Sequence, residues 1–396
     1  MTFRDASWSL ALCFAFLTGL AGMSRADGPP APGAVTTPTT TPPRQGVPVD
    51  LVLCLDASGS MDGLIDAAKR KLWDVVSLLA QARPNPRLRV ALYRYGMSGL
   101  DEQRHIERLV PLTDDLDQVY EKLVAVTTDG GDEFVGGVVH RALEDLDWSK
   151  DGNALRVLYV AGNESADQDQ SHPFRAVCAS ARQEGVIVNA IYCGEDTPGG
   201  DAAAWREVAQ QGGGAYVAID MQGTIQVQAP QDEQLTRLSG ELNGTYLPYG
   251  RDGARGCENQ KAQDSNAAGA ESAASRAQAK GSSLYWNGSW DLVDARAAEG
   301  FDWAKIAEAD LPEALKGKTV AEREAVIAGL AAKRKELQGR IQALGVERQK
   351  FVDAALAARA AEAAHRPEGG KAADSIDAGL LHALKEQAKA RGFTFE

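Results

Sequence analysis

Asp56, Ser58 and Ser60 alternate along the segment Asp56-Ala57-Ser58-Gly59-Ser60 and offer one carboxylate and two hydroxyls. All three are hard oxygen donors, the type that Mg2+, Mn2+ and Ca2+ take in preference to sulfur. Alternate residues of an extended loop point to one side, so this spacing brings the three oxygens together. The segment follows VDLVLCLD, a continuous apolar run, and precedes a helical pattern that starts near Asp62. A strand ending on Asp56 places the carboxylate at the C-terminal edge of a sheet, where open α/β sheets bind their ligands. The competing reading is purely local: the same hydroxyls can cap the helix that follows. A second group of carboxylates, Asp129, Asp132 and Glu133, lies in the Gly-rich loop TTDGGDE.

The elements that must position these residues alternate between strand and helix. VDLVLCLD, LRVALYRYG, the segment around IERLVPL, ALRVLYVAG, VIVNAIYCG and AYVAID read as six strands. Helical patterns fall between them at about 64–81, 115–126, 138–146, 174–183 and 202–211. Near-continuous apolar strands separated by helices imply a mostly parallel sheet covered on both faces. The fold class is therefore α/β: a doubly wound, mostly parallel six-stranded sheet flanked by helices, followed by a helical C-terminal region.

At this point the chain resembles the von Willebrand factor A family. The resemblance covers residues 48–225 and rests on LVLCLDASGSM, the strand order and the GGDE loop. In that family the corresponding site is the metal-ion-dependent adhesion site, and its first three ligands match Asp56, Ser58 and Ser60. The family's fourth ligand, usually Thr, falls on Asp132, with Glu133 beside it. Its fifth position, usually Asp in a TDG turn, falls on Gly162 of Ala161-Gly162-Asn163-Glu164. One acid has entered the Gly-rich loop and one has left the turn, so formal charge is kept but redistributed. A directly bound Asp132 would weaken the capture of a partner's carboxylate. The resemblance implies a divalent cation, Mg2+ first and Mn2+ or Ca2+ next, on Asp56, Ser58, Ser60, Asp132 and Glu133. It also implies a protein partner and a non-enzymatic role in adhesion or complex assembly.

Composition narrows the remaining function classes. The formal charge of −13 and the lack of a basic cluster argue against nucleic acid. The five histidines are scattered and form no HExxH pair, and GxSxG, Walker A and GxGxxG loops are absent from the sequence. A metal-dependent hydrolase using the loop carboxylates is kept as an alternative reading. Cys54, Cys178 and Cys193 lie in core-like patterns and read as buried thiols, and no CxxC is present.

Residues 1–26 carry Arg4, an apolar run from Trp8 to Met23 and the small-residue cleavage pattern Ser24-Arg25-Ala26. This reads as a cleaved secretory signal that leaves Asp27 as the mature start, with an uncleaved membrane anchor as the rival reading. An exported protein, periplasmic or secreted, follows, with no transmembrane segment after cleavage. Residues 27–47 are a Pro/Thr-rich linker, extended by composition. Residues 226–303 read as an irregular or helical extension, and 304–396 as a helical region. There Thr319 and Glu322 form a capping box, and Leu330, Leu337, Leu344 and Phe351 recur every seven residues. The companion positions Ile327, Arg334, Ile341 and Arg348 are only half apolar. The pattern leaves open a helical hairpin on its own chain or a coiled-coil homodimer. A scaffold that binds through these helices, with a vestigial metal loop, is the second alternative.

Overall fold

The computed structural model describes residues 46–59, 61–98, 105–194, 197, 199–218, 227–269, 271–364 and 376–395. Residues 1–26, read as a secretory signal, nearly all of the Pro/Thr-rich segment, and Ser60 lie outside the described residues. Six strands form one sheet: β1 (Val47–Asp56), β3 (Pro86–Tyr95), β4 (Ile106–Thr113), β5 (Leu155–Gly162), β6 (Ile187–Tyr192) and β7 (Gly213–Ala218). Their order is β4-β3-β1-β5-β6-β7, with only the β3–β4 pair antiparallel. The chain builds β3 and β4 on one side of β1, then crosses to β5 on the other. The switch point of this doubly wound sheet is therefore the gap between the C-terminal ends of β1 and β5.

The sequence of β1 dictates this layering. Leu51 and Leu55 point to one face and Val52 and Cys54 to the other, all buried, so the strand needs a cover on both sides. On one face α3 (Val135–Asp145), α4 (Phe174–Gln183) and α5 (Ala202–Gly212) supply Val138, Cys178 and Trp205. On the other, α1 (Asp62–Leu79) and α2 (Leu116–Val124) supply Leu72, Trp73, Val76 and Tyr120. The described cysteines are free thiols, and Cys54, Cys178 and Cys193 are buried.

The region beyond the sheet is helical and packs back on the second face. It comprises α6 (Asp232–Asn243), α7 (Gly253–Gly269), α8 (Ala273–Lys280), α9 (Leu292–Ala297), α10 (Val320–Ala364) and α11 (Ile376–Ala390). The polar Ala/Gln/Ser stretch thus becomes α7 and α8. It is held by buried ions rather than by an apolar stripe. Arg276 of α8 donates to Asp117 of α2 at 2.8 Å, to Asp264 of α7 at 2.6 Å and to the Gln260 carbonyl at 3.0 Å. Its guanidinium also lies 4.7 Å from the Trp73 ring centre on α1. Lys280 donates to Asp264 at 2.8 Å and to Asn243 at 2.6 Å.

Helix α10 opens on the expected capping box: Thr319 N–H donates to Glu322 at 2.8 Å and Glu322 N–H to Thr319 Oγ1 at 3.3 Å. Its seven-residue pattern is used within the chain. Ile327, Leu337 and Ile341 are buried, and Leu344 packs against the same core. The arginines that interrupt the apolar pattern find acids there. Arg334 reaches Asp291 at 2.7 Å and Asp294 at 2.6 Å, and Arg348 reaches Asp232 at 2.6 Å. Farther along, Val346 and Phe351 are exposed. The last helix, α11, rests on α1 and β7. Gln387 and the buried Asn189 of β6 exchange two hydrogen bonds there, at 2.6 and 3.1 Å. Finally β8 (Thr394–Phe395) pairs antiparallel with the two-residue β2 (Ala82–Arg83).

The Arg276 network gives a measurable expectation. Removing one member strands a buried charge, so Arg276→Ala or Asp117→Ala should each lower the unfolding free energy by about 3–5 kcal/mol. The double variant should lose less than the sum of the singles, because it leaves no orphaned partner at that contact. Urea unfolding of the four proteins checks this; additive losses would mean that the pair is not coupled.

Candidate metal site at the sheet switch point

Asp56 is the last residue of β1, fully buried at the switch point. Its Oδ1 accepts from the Ser58 N–H at 2.8 Å, folding the loop back over the carboxylate. The Ala57 N–H donates to the Tyr95 carbonyl at 2.8 Å and so ties the loop to the end of β3. The Ala57 carbonyl accepts from the Asp129 N–H, also at 2.8 Å, which brings the Gly-rich loop alongside.

That loop turns Glu133 inward just before α3. Glu133 is fully buried and its Oε2 accepts from the Glu164 N–H at 3.3 Å. Its own N–H donates to Gln168 Oε1 at 2.9 Å, and Gln168 Nε2 donates to Glu164 Oε2 at 2.8 Å. Behind this loop, the Trp205 indole donates to the Glu164 carbonyl at 2.8 Å. The segment after β5 therefore holds Glu133 through its backbone and through Gln168.

Gly96 shows how closely the two acids approach. A Cβ there would lie 2.6 Å from Asp56 Oδ1 and 3.3 Å from Glu133 Cγ, so both acidic side chains pack around the same point. Gly96 also has φ +78°, a left-handed conformation that other residues rarely adopt. Gly131 has a different reason to be glycine: a side chain would meet the backbone of Met97 and Ser98 within 2.7 Å.

Among the described residues, three buried oxygens around this point have no hydrogen-bond partner: Asp56 Oδ2, Ser58 Oγ and Glu133 Oε1. Buried polar atoms are nearly always paired, so a cluster of orphans at a switch point requires an explanation. Burial first, and then the neighbouring Glu133, raise the Asp56 carboxyl far above the carboxylate range. Burial raises Glu133 as well. Two carboxylates and a hydroxyl form a hard-oxygen donor set, able to hold a divalent cation that would neutralise both charges. Among the described residues, no group of three or more His, Cys, Asp and Glu forms a metal cluster; the donor set here is completed by a serine.

The five residues read as ligands are therefore placed differently. Asp56, Ser58 and Glu133 converge, and Ser60 lies outside the described residues. Asp132 has an exposed side chain, because adjacent residues of the extended loop point opposite ways and Glu133 is the one turned inward. Asp129 is exposed and accepts from Ser98 Oγ at 3.0 Å. Gly162 brings no side chain, and Glu164 contributes its N–H while its carboxylate faces outward. Gly96 and Gln168 were not anticipated. A glycine directly after a strand, in Tyr95-Gly96, was the available signal for the first; the sequence offers none for Gln168.

Other polar clusters serve packing. Lys280 stands 2.9 Å from Ser239 Oγ, but its ammonium is also donated to Asp264, which suits a buried ion pair rather than an activated serine. His140 and His172 stack with ring centres 4.4 Å apart, each beside a carboxylate, Glu144 and Asp169.

Two measurements follow from this geometry. Gly96→Ala should destabilise the protein by about 1–3 kcal/mol through strain and contact with Asp56, read as a drop in the urea midpoint. Asp56 and Glu133 bind protons more tightly in the folded chain than in the unfolded one. Their contribution is therefore fully present below the ordinary carboxylate range and is lost as pH rises through the raised folded values. In EDTA, stability should fall as pH rises from the ordinary carboxylate range to the raised Asp56 value of about 9, and Asp56→Asn should flatten that slope. An unchanged slope in the variant would contradict the assignment.

The comparisons with known proteins concern the same part of the chain. The family model for the von Willebrand factor type A domain matches residues 50–228. No curated protein matches the sequence. Among solved structures, proximal thread matrix protein 1 of the mussel byssus is 15% identical, covering 45% of this chain and 43% of its own, with a TM-score of 0.36. That protein has also been solved with a zinc-occupied MIDAS motif, at 14% identity over 45% of this chain and 43% of that one and a TM-score of 0.35. An aerotolerance-related membrane protein from Bacteroides fragilis is 17% identical over 43% of this chain and 92% of its own, with a TM-score of 0.31. The match thus spans less than half of the mussel protein's length. With the six-stranded sheet and its strand order, residues 50–228 form a von Willebrand factor type A domain.

Proposed function

We propose that this chain is a non-enzymatic, divalent-cation-dependent protein-binding module, exported to the bacterial envelope through its N-terminal signal. The observation that carries this reading is the set of three orphaned, buried oxygens of Asp56, Ser58 and Glu133 at the switch point. These residues would hold the ion, Mg2+ first and Mn2+ or Ca2+ next, with Ser60 as a further hydroxyl. A cation held there supplies Lewis acidity toward an oxygen of the partner protein. The chain's own part is to fix the donors. Gly96 leaves room for both carboxylates, the Ala57 N–H ties the loop to β3, and Gln168 with the Glu164 N–H orients Glu133.

A second reading, a scaffold that binds or dimerises through its C-terminal helices, is favoured by the exposed Val346 and Phe351 on α10. A set of melting scans separates the two. Mg2+, Mn2+ or Ca2+ should raise the wild-type midpoint by several degrees, EDTA should reverse this, and Asp56→Ala should abolish it. If no cation moves the midpoint of the wild-type chain, the metal-dependent reading is wrong. Phosphate- and ester-substrate panels with Mg2+ or Mn2+ should show no turnover; any turnover lost in Asp56→Ala would replace binding with hydrolysis.

A further inference from the structure

We infer that this site discriminates against acidic partners and takes an uncharged oxygen donor, a hydroxyl or an amide carbonyl, from a neutral or basic protein surface. The inference rests on the cation-dependent reading above and concerns the charge that the chain itself places around the ion.

Asp56 and Glu133 are both fully buried and pack around the same point. Two full negative charges at that depth balance the two positive charges of a divalent cation, and Ser58 adds a neutral donor. A carboxylate arriving from a partner would therefore meet a site of zero net charge. It would also give up its hydration to sit beside two like charges in a poorly screened environment. A hydroxyl or amide oxygen carries no such penalty and fills an open position equally well.

The rim acts in the same direction. Asp132 is exposed next to Glu133, and Glu164, whose N–H binds Glu133, also has an exposed carboxylate. Asp129, whose N–H binds the Ala57 carbonyl, is exposed as well. Asp132 and Glu164 lie one residue or one hydrogen bond from Glu133, and Asp129 is bonded to Ala57, between Asp56 and Ser58. Together they repel an acidic surface during approach and favour a basic one. The burial of Glu133 is the decisive feature. A neutral residue there would leave the bound ion with net positive charge and a preference for carboxylates.

The test uses the full chain loaded with Mn2+, with water-proton relaxation reporting the water on the ion. Acetate and acetamide serve as probes of equal size, one charged and one neutral. In the wild-type protein acetate should displace the Mn2+-bound water no better than acetamide. In Glu133→Gln, or in Glu133→Thr should the first variant fold poorly, acetate should act at a concentration roughly tenfold lower than acetamide. Acetate outcompeting acetamide on the wild-type chain overturns the inference while leaving the cation-dependent reading intact. Equal behaviour of the probes in the wild-type protein and in a folded, Mn2+-binding variant overturns it too. A wild-type chain on which Mn2+ produces no relaxation effect removes both readings together.

Discussion

A central strand that is apolar on both faces cannot be stable in one layer, and β1 is such a strand. Leu51 and Leu55 on one side, and Val52 and Cys54 on the other, must all leave water. Parallel neighbours on either side and helices above and below are the arrangement that achieves this. The remaining features follow from it. Because the chain winds away from β1 in both directions, the C-terminal end of β1 opens beside that of β5. Asp56 is thereby carried to the switch point, where the backbone diverges and ligands bind in open α/β sheets.

The second cover of β1 is less conventional in its chemistry. Helices α7 and α8 are rich in Ala, Gln and Ser and have no wide apolar stripe, so they cannot be held by apolar burial alone. Arg276 and Lys280 enter the interface instead, with Asp117 and Asp264 as counter-charges and the Trp73 ring as a packing surface. Such pairs gain less from stability than from register, since only one docking of α7 and α8 satisfies every charge. Arg334 and Arg348 do the same for α10. The helical extension is accordingly part of the same packed body as the sheet.

Placing two acids in the dry end of the sheet opposes folding unless something neutralises them. The surrounding loops accept that cost. Gly96 has a left-handed backbone, the Ala57 N–H and carbonyl anchor two loops, and Gln168 bridges Glu133 to the segment after β5. This is the pattern expected of a site organised around a ligand rather than of a helix cap. A cap would direct its oxygens at the first turn of α1, yet among the described residues Ser58 Oγ makes no such bond and the N-cap Met61 has no side-chain capping bond.

Much of this was legible in the sequence. The alternation of apolar strands and amphipathic helices determined the α/β class, because side-chain periodicity reports burial directly. The alternating oxygens of Asp56 and Ser58 after a strand pointed to the candidate site, because strand ends and ligand positions coincide in such sheets. Thr319 and Glu322 marked the start of α10, because capping is a local interaction. Three matters were decided only in three dimensions. Which of Asp132 and Glu133 is buried depends on which way a loop turns, and that is set by Gln168 and the Glu164 N–H, more than thirty residues away. The destination of the seven-residue pattern in α10 depends on Asp232, Asp291 and Asp294, whose proximity to Arg348 and Arg334 no local spacing reveals. The order of α7 and α8 comes from charges buried against α2. In each case the sequence specifies what a residue can bond to, while folding determines which partner comes within reach.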